Sequence, residues 1–267
     1  VAIGSGLPIA SAQVDPAAQI EQLTAVLKAK PNDALIWYKR GELYRTQHEY
    51  AHALGDYAQA ELLDPGLEFI YLSRGRTFYE SGRFPDAYRA LTQFLQMAPG
   101  HADALLFRAR TRIQLGQPNA AELDFAEALA NAKDPAPELF LERAANLSQG
   151  GKAGAAIVVL DEGIARLGPL DALHDAALAI EVRAKRWSQA LSRIDALLAR
   201  SERKEYLLAR KAQVLEAAGD KAAAREVRRA ALLQIAGLPE TKRKLESTQK
   251  LAHELERLAR ADTVRAK

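Results

Sequence analysis

Ala34–Pro65 reads ALIWYKRGELYRTQHEYAHALGDYAQAELLDP, and the fold turns on these residues. Trp37, Gly41, Tyr44, Ala53, Tyr57, Ala60 and Pro65 set small, large apolar and chain-stopping residues at fixed places along two short helical patterns. Gly41 is answered by Gly75, and Tyr71, Gly75, Phe78, Ala87, Leu91, Phe94 and Pro99 keep the register. A third unit holds Leu105, Ala109, Ala121, Phe125 and Ala128. A fourth, one residue late, holds Phe140, Ala144, Leu147, Ala156, Leu160 and Gly163. The fifth is degenerate, with His174, Leu178, Ala190, Ile194 and Leu197, and the sixth recovers with Leu208, Ala212, Leu215, Ala224 and Ala231. A period of about 34 residues marks stacked helical units that bury their apolar faces against one another.

The residue types suit their places. Gly or Ala at the eighth and twentieth places lets two antiparallel helices approach closely, and large apolar groups at the fourth, eleventh and twenty-fourth fill the space between units. Proline near the end stops the second helix. Ser81-Gly82, Gly116-Gln117-Pro118, Gln149-Gly150-Gly151 and Gly219-Asp220 mark the turns between the two helices of a unit.

This pattern resembles the tetratricopeptide-repeat (TPR) family. The resemblance implies an all-α, right-handed α-α superhelix of about six helix-turn-helix repeats closed by a C-terminal capping helix. The expected organisation is a leader at 1–14, a half repeat at 15–33 ending at Pro31, and six repeats at 34–67, 68–101, 102–136, 137–170, 171–204 and 205–237. Residues 238–267 form the capping helix and tail, with Leu245, Leu251, Leu255 and Leu258 as an apolar stripe that covers the last repeat.

Composition agrees with helix. Of 267 residues, 48% are hydrophobic but only 6% aromatic, and Ala, Leu, Glu, Lys and Arg dominate. Charged residues are 27% and the net charge is +3, too mild and too poor in interleaved aromatics for a nucleic-acid binder. From Arg200 onward seventeen basic residues face ten acidic ones, which reads as a solvated helical face. The absence of cysteine excludes disulfides and thiol chemistry. No apolar run approaches the ~20 residues of a membrane span. Val1–Gln13 is apolar and small, and Ala10-Ser11-Ala12 resembles the end of an export signal, which points to a bacterial periplasmic or otherwise exported protein. The alternative is a flexible leader on a cytoplasmic chain.

His48-Glu49-Tyr50-Ala51-His52 fits the H-E-x-x-H zinc pattern, and Gly55 extends it. The third-ligand place holds Ala58, however, and the repeat register sets His48 and Glu49 in the turn between helices, so no zinc, other cofactor or enzymatic activity is expected. His101, His174 and His253 are isolated, and Asn146-Leu147-Ser148 is a glycosylation pattern inside a helix.

By resemblance, the second, fifth, ninth and twelfth places of each repeat line a concave groove. The fifth places are Tyr38, Leu72, Leu106 and Leu141, an apolar row. Beside it stand Glu42, Arg76 and Arg110 at ninth places, Arg45, Tyr79 and Ile113 at twelfth places, and Phe69 at a second place. Apolar groups on a solvated wall mark an interaction surface. The chaperone-binding TPR class carries Lys at fifth and Asn at ninth places, a pattern from which Tyr38, Glu42 and Leu72 depart. The expected function is a scaffold or adaptor that grips an apolar and acidic segment of another protein or peptide. The alternative is a subunit docked by its edges or terminal helix in a larger complex or a homo-oligomer.

Overall fold

A computed structural model describes residues 15–265, with side chains described through residue 260. The first compact unit, which ends at Pro135, contains α1 (Pro16–Ala29), α2 (Ala34–Thr46), α3 (Tyr50–Leu63), α4 (Phe69–Glu80), α5 (Phe84–Met97), α6 (Ala102–Gln114) and α7 (Pro118–Asn131). The second, from Ala136, contains α8 (Pro137–Gln149), α9 (Ala153–Leu167), α10 (Asp171–Arg183), α11 (Trp187–Leu198), α12 (Lys204–Ala217), α13 (Lys221–Ala236), α14 (Glu240–Arg243) and α15 (Glu246–Arg265). Among the described residues there is no strand. Each unit is an all-helical stack of paired helices, as the repeat pattern implies. The expected leader lies outside the described residues.

Local chemistry starts and stops these helices. Asp15, Asp33 and Asp220 turn their carboxylates onto the first free backbone amides of α1, α2 and α13, and prolines open α1, α5, α7 and α8 where no amide donor is needed. The turn inside each helical pair has one backbone signature. His48, Gly82, Gly116, Gly151, Lys185 and Gly219, the fifteenth place of each repeat, all have positive φ. Glycine enters this left-handed region freely, whereas the φ of 61° at His48 and 55° at Lys185 strains an L side chain. The zinc-like pattern is broken there: His48 stands before the helix, bonded to the Tyr50 hydroxyl at 2.8 Å, and His52 reaches Glu49 at 2.9 Å.

Helices pack mainly on their neighbours in sequence or on the next but one. In the first unit Ala53, Tyr57, Ala60 and Ile70 form a buried cluster, with Trp37, Tyr38 and Tyr44 against it. In the first two repeats the close approach requires glycine at the eighth place: a Cβ on Gly75 would lie 2.6 Å from Leu91 Cγ, and one on Gly41 2.7 Å from Tyr57 Cε1. Buried carboxylates tie paired helices together. Asp56 takes both Arg40 Nε and Nη2, at 2.8 and 2.7 Å, and Asp124 takes Arg108 in the same fork at 3.0 and 2.7 Å. Arg40 also reaches Thr24 at 2.9 Å, joining α1 to α2.

In the second unit Leu178, Ala190, Ile194 and Val214 are buried together, and Arg193 spans Glu181 and Asp161. Asn146 of the glycosylation pattern is buried in α8. The terminal region is two helices rather than the expected one, and Leu245 of the expected stripe falls in the break between α14 and α15 and is 45% exposed. Leu255 instead is buried against Ala209, Ala231 and Ile235, with Leu251 and Ala252 beside it. Burying one leucine is worth ~1.5–3 kcal/mol. A chain ended at Leu238 is therefore expected to melt lower and to self-associate through the bared face of α13. Thermal circular dichroism with size-exclusion chromatography checks this; an unchanged midpoint in a monomeric truncation would refute the capping role.

Candidate partner-binding surface

Ten of the eleven groove residues read from the sequence lie in the first unit. Tyr38, Glu42 and Arg45 are on α2, Phe69, Leu72, Arg76 and Tyr79 on α4, and Leu106, Arg110 and Ile113 on α6. All are half-buried except Phe69, which is exposed. Leu141 belongs to α8 in the second unit, where with Ala144, Ala176 and Ile180 it lines a separate cleft of about 180 Å³.

Two clusters form among the ten. In the first, Tyr38 meets Phe69 edge to face at 4.4 Å, and its hydroxyl lies 3.3 Å from Ser73 Oγ. Glu42 sits below this pair. It accepts hydrogen bonds from the Tyr57 hydroxyl and from Arg45 at 3.1 Å, and Arg45 continues to Glu80 at 2.8 Å. Burial pushes the Glu42 carboxyl up, but the hydrogen bonds from Tyr57, Arg45 and Ser73 outweigh it and hold the group below the ordinary glutamate range. Burial likewise opposes the charge on Arg45, and Glu42 and Glu80 overcome it. Glu42 and Arg45 are thus largely engaged within the protein, and the surface they carry is the aromatic pair above them.

The second cluster centres on a residue that the place-by-place reading omits. Phe107 of α6 receives the Arg76 guanidinium at 4.8 Å and the Arg110 guanidinium at 5.1 Å from its ring centre. Tyr79 stands edge-on to the same ring at 5.8 Å and also contacts Phe84. Phe107 and Ser73 occupy the same sixth place in successive repeats, and each reaches back to the preceding first helix. The signal was available in the register, since the sixth place adjoins the fifth-place row.

Each guanidinium over the ring gains cation–π attraction. Arg76 makes no ion pair among the described residues, and its Nε is buried without a hydrogen-bond partner. The Arg76 charge at this ring raises the local potential, and a planar carboxylate suits a guanidinium fork. The arrangement can therefore hold an acidic group beside an aromatic and aliphatic surface. Among the described residues no group of three or more His, Asp or Glu is placed to hold a metal ion, and no helix is long and apolar enough to cross a membrane.

Comparison with known proteins supplies the family. Two models of the tetratricopeptide repeat match, one over residues 12–67 and one over 78–141. No curated protein matches the sequence. Among solved structures, a tetratricopeptide repeat protein from Parabacteroides merdae is 20% identical with a TM-score of 0.56, over 91% of this chain and 93% of that one. The C-terminal part of a TPR repeat-containing protein from Cytophaga hutchinsonii is 14% identical with a TM-score of 0.60, over 74% and 79%. A chain of the APC/C hetero-tetramer Cut9–Hcn1 is 14% identical with a TM-score of 0.53; the match covers 90% of this chain and 46% of that one, less than half its length. These likenesses show the fold. With the helical pairs and the left-handed turns, the two matched stretches show that residues 12–67 and 78–141 of this chain carry tetratricopeptide repeats.

Proposed function

We propose that this protein is a non-catalytic scaffold that grips a segment of a partner protein on the α2, α4 and α6 surface of its first unit. The observation that carries the reading is the Arg76–Phe107–Arg110 cluster, in which Arg76 lacks an acidic partner among the described residues. Tyr38 and Phe69, with Leu72 and Leu106 on the same helices, supply the apolar part. A fitting ligand alternates apolar and acidic residues. Apolar contacts give most of the affinity, while the arginines set orientation and association rate. The Cut9–Hcn1 assembly adds a precedent at the level of fold for such a solenoid standing in a complex.

The test is a peptide library displayed against the full chain, followed by titration of the enriched peptide. Peptides with apolar and acidic residues alternating are expected to be enriched. Arg76→Glu with Arg110→Glu is expected to weaken the enriched peptide by about 10–100-fold while circular dichroism stays that of wild type. Leu72→Asp is expected to weaken it through the apolar row. If these variants bind normally and changes at the exposed outer residues Leu62 and Leu123 abolish binding instead, the protein docks by its outer face as a subunit and the groove reading is wrong.

A further inference from the structure

The second unit contains a cleft of about 450 Å³ between α10 and α12, floored by the segment that joins α11 to α12. Two of its walls are apolar, from Leu197 and Leu207, and the remainder is charged or polar. Arg210 and Asp175, both in the lining, pair with each other and cancel. Asp171 lies in the first turn of α10, where the helix dipole favours a negative charge. Arg200 is the lining cation left over: it is exposed and makes no ion pair among the described residues.

Arg200 is nonetheless held in place. Its Nη2 lies 3.3 Å from Nε2 of His174. A guanidinium can only donate, so Nε2 accepts and the ring proton sits on Nδ1. Burial, aided by the nearby Arg200 and Arg193, pushes the His174 imidazole down and keeps it in this neutral, accepting form. The Nδ1 atom is buried with no hydrogen-bond partner. The ring thus sits in an orientation that leaves one nitrogen unsatisfied while the other seats Arg200. One donor of the guanidinium is used, and the rest of its five-donor fork is open to the cleft.

We propose that this cleft is a binding site for a small aliphatic carboxylate, with Arg200 as the carboxylate anchor and His174 as the residue that positions it. Leu197 and Leu207 cover the ligand's alkyl chain. The volume falls in the range of ~300–1,000 Å³ typical of small-molecule sites. Asp171, the lining carboxylate that the Arg210–Asp175 pair leaves over, selects against a doubly charged phosphate, because like charge in the wall disfavours the larger anionic charge. The site is independent of the surface on the first unit, so either reading can fail without the other.

Calorimetric titration of the full chain with hexanoate, with inorganic phosphate as comparator, tests the site. Saturable binding of hexanoate at a single site, with phosphate much weaker, is expected. Arg200→Gln is expected to reduce the affinity by about tenfold or more, and the exposure of Arg200 makes this a change the fold tolerates. His174→Phe is expected to weaken binding, and His174→Gln, which restores an acceptor near Nε2, to recover most of it. Circular dichroism on each variant separates these effects from unfolding. Absence of saturable hexanoate binding, equal binding of phosphate, or an Arg200→Gln variant that binds like wild type overturns the proposal.

Discussion

Tyr57→Ala is expected to destabilise the first unit by about 3–5 kcal/mol, the range for deleting a fully buried aromatic ring. Tyr57 has no exposed surface and packs with Ala53, Ala60 and Ile70. Its ring also fills the space beside Gly41, so the cavity left behind would open at the closest approach of α2 and α3. Its hydroxyl is a donor to the half-buried Glu42, which would keep Arg45 but lose that donor. Tyr57→Phe separates the two contributions. It keeps the ring and removes a hydrogen bond to a charged group, worth about 1.5–3 kcal/mol. Urea unfolding followed by circular dichroism reads both variants. A Tyr57→Ala protein within 1 kcal/mol of wild type would show that the α2–α3 core is not organised around this ring.

The second large effect is expected at Asp124. Its side chain is 2% exposed, and it receives Arg108 and Arg112, each with a nitrogen at 2.7 Å. Asp124→Ala strands two half-buried guanidiniums, and breaking a buried ion pair from one side costs about 3–5 kcal/mol. Arg112 would keep its bond to the Ala120 carbonyl and its contact with Tyr88, and its Nε already lacks a partner. Replacing all three residues by leucine is expected to recover most of the loss, since a buried ion pair and an apolar replacement are often close in stability. Thermal melts of the single and triple variants make the comparison. If Asp124→Ala melts with wild type, the α6–α7 pair is held by its apolar contacts alone.

The fold was legible because its signal lies in residue size. Ala53, Ala87, Ala121 and Ala190 have no exposed surface, and Gly75 sits where a single added carbon would strike Leu91. A place that admits only small residues can be read from one chain when it recurs at a fixed period. Polar partnerships are less visible. Arg40 with Asp56 and Arg108 with Asp124 occupy matching places in two repeats, but the second repeat has Arg74 facing Glu61 of the repeat before it. A repeat register indicates which side of a helix a residue is on; it does not indicate which opposite charge it finds there. For the same reason Glu42 and Arg45 read as groove residues, and only the structure brings Tyr57 and Glu80 against them. Phe107 escaped because recognition places were assigned by analogy, one place short of the ring on which Arg76 and Arg110 converge.

Helices that pack on sequence neighbours also bear on how the chain is made. Contacts of short sequence separation close small loops, and chains dominated by them fold fast. A ribosome releases residues at ~5–20 per second, so one helical pair emerges over a few seconds and meets a surface already in place. The pairing of α13 with α15 departs from this order, because the short α14 lies between them in sequence. The face of α13 that receives Leu255 waits for α15, which is made after the short α14. During that interval the newest apolar surface is bare, and it is there that a nascent chain would engage a holding chaperone or a second copy.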